Sequence, residues 1–224
     1  MLAKRLLNIF KKCILYFFAI SIASTIIFRF VPIPCTPLMI LRTIEYAFNG
    51  DFIGIHYQWR SKDEISDYMR QAVVAAEDQK FFEHNGFDIE AIKKAIKHNK
   101  NSTTKLKGGS TISQQCAKNV FLWQGRNWIR KGLEVYFTIL IELFWSKERI
   151  LEVYLNVIEM GIGVYGTESA AHYYYKKDAI QLSKSESALL ASILPNPRKW
   201  DPKNPSSYIN RRKNWILRQM NNLY

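Results

Sequence analysis

Two adjacent carboxylates, Glu77 and Asp78, close a stretch whose apolar positions, Ile65, Tyr68, Met69, Ala72, Val73 and Ala76, recur at helical spacing. At about 100° per residue, Glu77 falls at the edge of the apolar stripe and Asp78 points to the other side of the helix. A carboxylate partly withdrawn from water has a raised pKa, the usual way to make a general base effective near neutral pH. The same pair would be ordinary surface acids at a helix end if nothing else converged on them, so two further stretches decide. One is Gly108-Gly109-Ser110-Thr111-Ile112-Ser113-Gln114-Gln115, with Lys118 and Asn119 following. Paired glycines let backbone amides approach a ligand, and a Ser/Thr helix start offers amides and hydroxyls to an anion. Alone, that pattern is also a hinge before a capped helix, and the missing Gly-Lys-Ser/Thr excludes a Walker site. The other runs from Asn127 to Trp145, apolar on nearly every face except a line of Arg130, Lys131, Glu134, Thr138 and Glu142. Such a line is either the solvated edge of a buried helix or the wall of a polar cleft. A basic pair one turn before a carboxylate is what a diphosphate site requires.

The elements that must position these residues read as helices. Ser61-Lys62-Asp63-Glu64 is a capping box that starts the helix leading to Glu77. Gly86 breaks the pattern, Asp88 caps the next start, and Ile89, Ile92, Ala95 and Ile96 make a short amphipathic helix. Lys97 to Gly109 is polar enough to be a mobile loop. Further on, Ser146 caps a helix through Met160 that Gly161 ends, and Thr167 caps one over Ser169 to Tyr175. Ser183-Lys184-Ser185-Glu186 is a second capping box before Ala188 to Leu194, and a basic, Trp-containing helix covers about 207–221. No run of alternating strands appears, and the fold class is mainly α.

At 224 residues with 48% hydrophobic content, the chain is long enough for one well-buried domain plus an appendage. A formal charge of +13 favours an anionic partner: nucleic acid, anionic lipid or a phosphorylated substrate. Part of that excess, Lys4, Arg5, Lys11 and Lys12, precedes a hydrophobic run and reads as a topology signal. The uncharged run from Cys13 to Phe28 spans roughly 24 Å as a helix. Continued to Ile33, it reaches the approximate 30 Å of a hydrocarbon core. The basic flank puts the N-terminus in the cytoplasm and the rest outside. A cleaved signal with Ser21-Ile22-Ala23 near the cut is the alternative, disfavoured by the apolar Ile26, Ile27 and Phe28 beyond it. The three cysteines, Cys13, Cys35 and Cys116, are widely spaced and give neither a disulfide framework nor a zinc site.

Taken in order, these stretches resemble the family-51 peptidoglycan glycosyltransferases, lysozyme-like enzymes that polymerise lipid II. The pattern Glu-Asp-x-x-Phe-x-x-His-x-Gly-Phe-Asp is met by Glu77, Asp78, Phe81, His84, Gly86, Phe87 and Asp88. Gly-Gly-Ser-Thr-Ile-Ser/Thr-Gln-Gln is met from Gly108, and Arg-Lys-x-x-Glu by Arg130, Lys131 and Glu134. A fourth match runs from Arg149 to Asn156 with Gly161 and Gly166 beyond it, and a fifth from Leu189 to Pro195. Cys116 departs from the family's usual aliphatic residue and touches no catalytic assignment. The likeness covers roughly 55–205 and looks like the monofunctional biosynthetic form. It implies a lysozyme-like helical domain behind a single N-terminal transmembrane helix. Residues 1–12 would be a cytoplasmic basic tail, 13–33 the anchor, 34–60 a juxtamembrane connector and 61–224 the extracytoplasmic glycosyltransferase domain of a bacterial inner-membrane protein. It further implies Glu77 and Glu134 as catalytic residues. Asp78, Phe81, His84, Gly109, Ser110, Thr111, Gln114, Gln115, Lys118, Asn119, Arg130 and Lys131 are implied at the substrate. No cofactor is required, although Glu134 could hold Mg or Mn at the diphosphate. The expected partners are lipid II, the growing glycan chain, membrane lipid and other cell-wall synthesis proteins, but not nucleic acid.

Three patterns point elsewhere. Gly161-Ile162-Gly163-Val164-Tyr165-Gly166 has dinucleotide-site spacing, but a helix rather than a strand is expected before it. Ser102-Thr103-Thr104-Lys105 has the Ser-x-x-Lys spacing of penicillin-binding enzymes without a Lys-Thr-Gly to follow. His84 shares no metal spacing with His56, His98 or His172, and a structural hydrogen bond near the site suits it better. Two other functions remain in competition: a tethered binder of anionic lipid or glycan, and a lytic lysozyme-like hydrolase. Catalysis by transfer requires Glu77 and Glu134 to face one cleft, whereas binding needs only the cations. The basic pair beside Glu134 disfavours the hydrolase, since a neutral glycan needs no diphosphate clamp.

Overall fold

The computed structural model describes residues 2–101, 108–125 and 127–222, with ten α-helices and one small sheet among them. The first helix, α1 (Leu2–Phe28), is the one helix among the described residues long and apolar enough to cross a membrane. It stops at Phe28, earlier than hydropathy suggested, because residues 29–31 turn and Ile33 inserts into the domain core instead of lipid. The carboxyl-terminal half of α1 is docked on the domain. Ser21 and Tyr136 share a hydroxyl hydrogen bond of 2.6 Å, Trp145 Nε1 donates to the Thr25 carbonyl at 2.7 Å, and Arg149 Nη2 donates to the Phe28 carbonyl at 2.8 Å.

The stretch expected as an irregular connector holds a helix, α2 (Pro37–Phe48). Thr36 caps it by accepting from the Met39 amide, and Pro37 takes the first position, where a missing N–H leaves no intrahelical bond unmade. The Ser61–Glu64 capping box also forms, but on a single 3-10 turn, Lys62–Glu64. Ile65 is extended and buried, so α3 (Asp67–Glu77) begins only after Ser66. The helical register is therefore counted from Asp67. Met69, Ala72 and Val73 are buried, while Tyr68, placed on the stripe by a count from Ile65, is exposed. Asp88 caps α4 (Ile89–Asn101) by accepting from the Ala91 amide at 2.8 Å. That helix runs through Lys97 to Asn101, where a loop was expected, its late Lys and His suiting a helix C-terminus. The Ser102–Lys105 pattern lies outside the described residues.

Helix α5 (Ile112–Phe121) occupies the core, with Ile112, Cys116, Ala117 and Val120 buried between α6 (Trp128–Phe144) and α7 (Lys147–Val157). Helix α6 is polar toward the interior. Arg130, Glu134 and Thr138 are buried, while Trp128, Ile129 and Leu143 stand 91, 76 and 70% exposed. The line of polar residues is thus an inner wall, and the outward face beside α1 is apolar. Helix α7 ends at Val157 because Glu159–Gly161 (β2) leaves it to pair antiparallel with Val164–Tyr165 (β3), which pairs parallel with His56–Tyr57 (β1). Helix α8 (Gly166–Tyr175) starts one residue before Thr167, whose hydroxyl donates to the Leu155 carbonyl instead of capping. The Ser183 capping box opens α9 (Lys184–Ile193), and Ser206 caps α10 (Ser207–Met220). Helices α9 and α10 pack on each other and together cover the apolar face of α3.

Candidate active site

Glu77 is the last residue of α3, where the helix runs out against α5 and α10. One carboxylate oxygen accepts from Gln115 Nε2 at 2.9 Å and the other faces Arg212 Nη2 at 3.2 Å. The Gln115 oxygen in turn accepts from the Tyr154 hydroxyl at 3.2 Å, which fixes the amide with its nitrogen toward Glu77. Burial lifts the Glu77 carboxyl above its ordinary pKa, against the pull of Gln115, Arg212 and Lys118.

Asp78 does not point away to solvent. It leaves helical conformation at φ −162° and ψ 80°, and its carboxylate turns inward. There it accepts from the Ile112 amide, at the start of α5, and meets His84 Nε2, both at 3.0 Å. Burial raises its pKa while His84 and the Ile112 amide act against the rise. Asp78 is therefore a clamp between the first two motifs. Phe81, expected at the substrate, is fully buried because its ring packs in the core under the Lys147 ammonium, 4.6 Å from its centroid. His84 is occupied with Asp78, the structural hydrogen bond expected for it.

The Gly-Gly-Ser-Thr stretch enters α5 through a capping box. Gln114 Oε1 accepts from the Thr111 amide at 3.0 Å, and the Thr111 oxygen accepts from the Gln114 amide at 3.2 Å. The Thr111 hydroxyl also donates to the Gly86 carbonyl at 2.6 Å. Thr111 and Gln114 are thereby buried and used internally, while Gly109 and Ser110 line a cavity of about 320 Å³ with Glu77, Lys80, Lys94 and Trp215. Gly86 has φ +87°, and a Cβ there would stand 2.8 Å from Thr138 Cγ2 and 3.0 Å from Glu142 Cγ on α6. Only glycine joins the three motifs this closely.

On α6, Asn127 caps the helix by accepting from the Arg130 amide at 2.7 Å. Arg130 Nη1 donates to Glu134 Oε2 at 2.7 Å, and the Lys131 ammonium engages the other oxygen. Both oxygens of the buried Glu134 carboxylate are thus engaged by cations, one donor on each. Lys118 follows Gln115 on α5 and is largely withdrawn from water. Burial lowers its pKa, and it feels Glu134, Arg130, Lys131 and Glu77 together. A second cavity of about 320 Å³, lined by Arg42, Gln115, Lys118, Asn119, Glu159 and Arg198, opens beside it.

Arg212 and Trp215 on α10, and Arg42 on α2, were missed by sequence reasoning. The Arg211-Arg212 pair could not be told from a solvated helix face, whereas Thr36-Pro37 was a usable sign that a helix would carry Arg42. The glycine-rich pattern at 161–166 forms the β2–β3 turn and the start of α8. A Cβ on Gly163 would stand 2.6 Å from the Gly54 carbonyl oxygen, so the protein itself fills the space a dinucleotide would need.

A mainly helical domain with a candidate membrane helix docked on it, and with the carboxylates of Glu77 and Glu134 buried in it, has the architecture of the lysozyme-like glycosyl-transfer enzymes. The family model described as Transglycosylase matches residues 51–221, and the chain belongs to that family. Among similar proteins is the biosynthetic peptidoglycan transglycosylase of Bdellovibrio bacteriovorus, 52% identical over 93% of this chain and 83% of the relative. Those of Haemophilus influenzae, at 52% over 93% and 85%, and Pseudomonas entomophila, at 51% over 97% and 92%, carry the same name.

Proposed function

We propose that this chain is the peptidoglycan glycosyltransferase that polymerises lipid II into glycan strands, with Glu77 as general base. The donor is the growing chain on its lipid diphosphate, and the acceptor is an incoming lipid II. Glu77 takes the proton of the acceptor 4-hydroxyl as that oxygen attacks the donor's anomeric carbon. The bond to the lipid diphosphate breaks, and inversion gives a β-1,4 link. A diphosphate is a good leaving group and needs its departing charge neutralised more than it needs a proton. Lys118, Arg130 and Lys131 supply that neutralisation, and Glu134 holds the last two in place. No step is assigned to a divalent ion on Glu134.

The observation that carries this reading is a geometric one: Gln115 of α5 donates to the desolvated Glu77 at 2.9 Å and lines the same cavity as Lys118, one turn along the helix, while Arg130 and Lys131 are both held on Glu134. A binder would need the cations without the first carboxylate, and a hydrolase the carboxylate without the clamp, so neither alternative is favoured. We place the protein in the bacterial inner membrane, its domain on the periplasmic side. Lys4, Arg5, Lys11 and Lys12 before the helix and the apolar outward face of α6 support that placement, with membrane lipid around both. Other cell-wall synthesis proteins remain proposed partners. Incubating the purified full-length protein with lipid II tests the activity. Polymer is the expected product, and its absence from folded protein overturns the reading.

A further inference from the structure

Glu77 receives a counter-charge from a helix that none of the matched motifs includes. Arg212 reaches it from α10, its Nη2 lying 3.2 Å from one Glu77 oxygen and 3.5 Å from the Ala76 carbonyl at the end of α3. Its Nε is buried without a hydrogen-bond partner, so the guanidinium is not saturated by the pairing. The helix that carries it is fixed by apolar contact: Ile209, Ile216 and Met220 are buried, and α10 lies on both α3 and α9. The interface therefore does not need an ion pair to hold together, and buried ion pairs are in any case weak evidence for stability.

We propose that Arg212 is a positioning residue for the general base: it anchors one oxygen of Glu77, keeps the carboxylate ionised, and leaves its remaining lone pairs turned to the cavity shared with Trp215. This rests on Glu77 being the base. The groups that face Glu77 are Gln115 and Lys118 from α5, Tyr154 from α7, Asp78 next in the chain and Arg212. Gln115 and Tyr154 are neutral, Asp78 is like-charged, and Lys118 is attracted mainly to Glu134. Arg212 is the cation in direct contact. Without it, burial and the neighbouring Asp78 drive the Glu77 carboxyl toward its protonated form, which cannot accept a proton, opposed only by the Gln115 hydrogen bond and the charge of Lys118.

The test is the pH profile of lipid II polymerisation by full-length enzyme carrying Arg212→Ala or Arg212→Lys. Raising the pKa of an essential base moves the acid limb of the profile to higher pH. Arg212→Ala should therefore lose more activity at pH 6.5 than at pH 9, by about tenfold for each unit the limb moves. Arg212→Lys should return the limb toward the parent position. A loss uniform across pH, with Lys no better than Ala, overturns the proposal in favour of simple packing. If Arg212→Ala does not fold, Arg212→Met, which keeps the aliphatic stem, takes its place, and failure of both to fold also overturns it. Glu77→Gln is measured alongside. Parent-like activity in that variant sinks the general-base reading itself, whereas an inactive Glu77→Gln with an unshifted Arg212→Ala limb sinks only the role of Arg212.

Discussion

Glu77 and Glu134 are the same side chain in opposite settings. Both are largely buried, their side chains 14 and 4% exposed. Glu77 has a neutral amide on one oxygen and a single guanidinium on the other, at the end of an apolar helix. Glu134 has a cation on each oxygen, with a third cation nearby. On the proposed mechanism the difference divides labour: the desolvated carboxylate with one counter-charge serves as the base, and the one with a cation on each oxygen holds positive charge in place.

The largest expected effect breaks the first half of that comparison. Glu77→Gln should lower polymerisation by roughly 10² to 10⁴, the usual worth of a general base. Its stability should move the other way. Because burial holds the folded pKa of Glu77 above its unfolded value, the associated stability is present at low pH and lost as pH rises through the folded pKa. Melting curves should thus show the Gln variant gaining on the parent between pH 4 and pH 8, and no relative gain would contradict the assigned burial.

Next in size is Glu134→Gln, expected to reduce turnover by roughly a hundredfold through misplaced cations. It should also destabilise, by about 1–3 kcal/mol, since the buried Arg130 keeps an acceptor but loses the negative charge that compensates it. Parent-like rates in a folded variant would leave α6 with an ordinary i, i+4 pair and no role at the diphosphate. Truncation before Val31 should cost both activity in liposomes and thermal stability. Without α1, Tyr136, Trp145 and Arg149 lose hydrogen-bond partners. Equal activity and melting temperature in truncated and full-length protein would mean that α1 neither tethers the enzyme to its substrate nor supports the domain. Gly86→Ala should cost about 1–3 kcal/mol in denaturant unfolding, because it drives a methyl group into Thr138 where the two halves of the site meet. The smallest effect belongs to Asp78→Asn, which can still accept from the Ile112 amide. Its activity should fall less than tenfold in the lipid II assay, by order-of-magnitude comparison with loss of a true base.

Much of this arrangement was legible in the sequence, for reasons that vary by element. Helices α5, α6, α9 and α10 carry their own caps and periodicity, so local physics announces them. The chemistry-bearing residues stood out by type and spacing. What escaped was set by tertiary contact. Nothing local tells that Asp78 turns into the N-terminus of α5, that the polar line of α6 faces inward, or that Arg212 crosses to Glu77. The Ser61 box is a cap, as its sequence predicts, but it opens one turn and no long helix, because the burial of Ile65 pulls the chain out of helical geometry.

The contact between α3 and α10 also orders events during synthesis. Arg212 follows Glu77 by 135 residues, an interval of roughly 7–27 s at ribosomal rates of about 5–20 residues per second. Over that interval α1 is already available for insertion, while Glu77 sits on a helix whose apolar face lacks its cover and whose carboxylate lacks its cation. On the proposed roles of Glu77 and Arg212, the nascent chain would gain competence only when α10 docks, after α1 has left the ribosome.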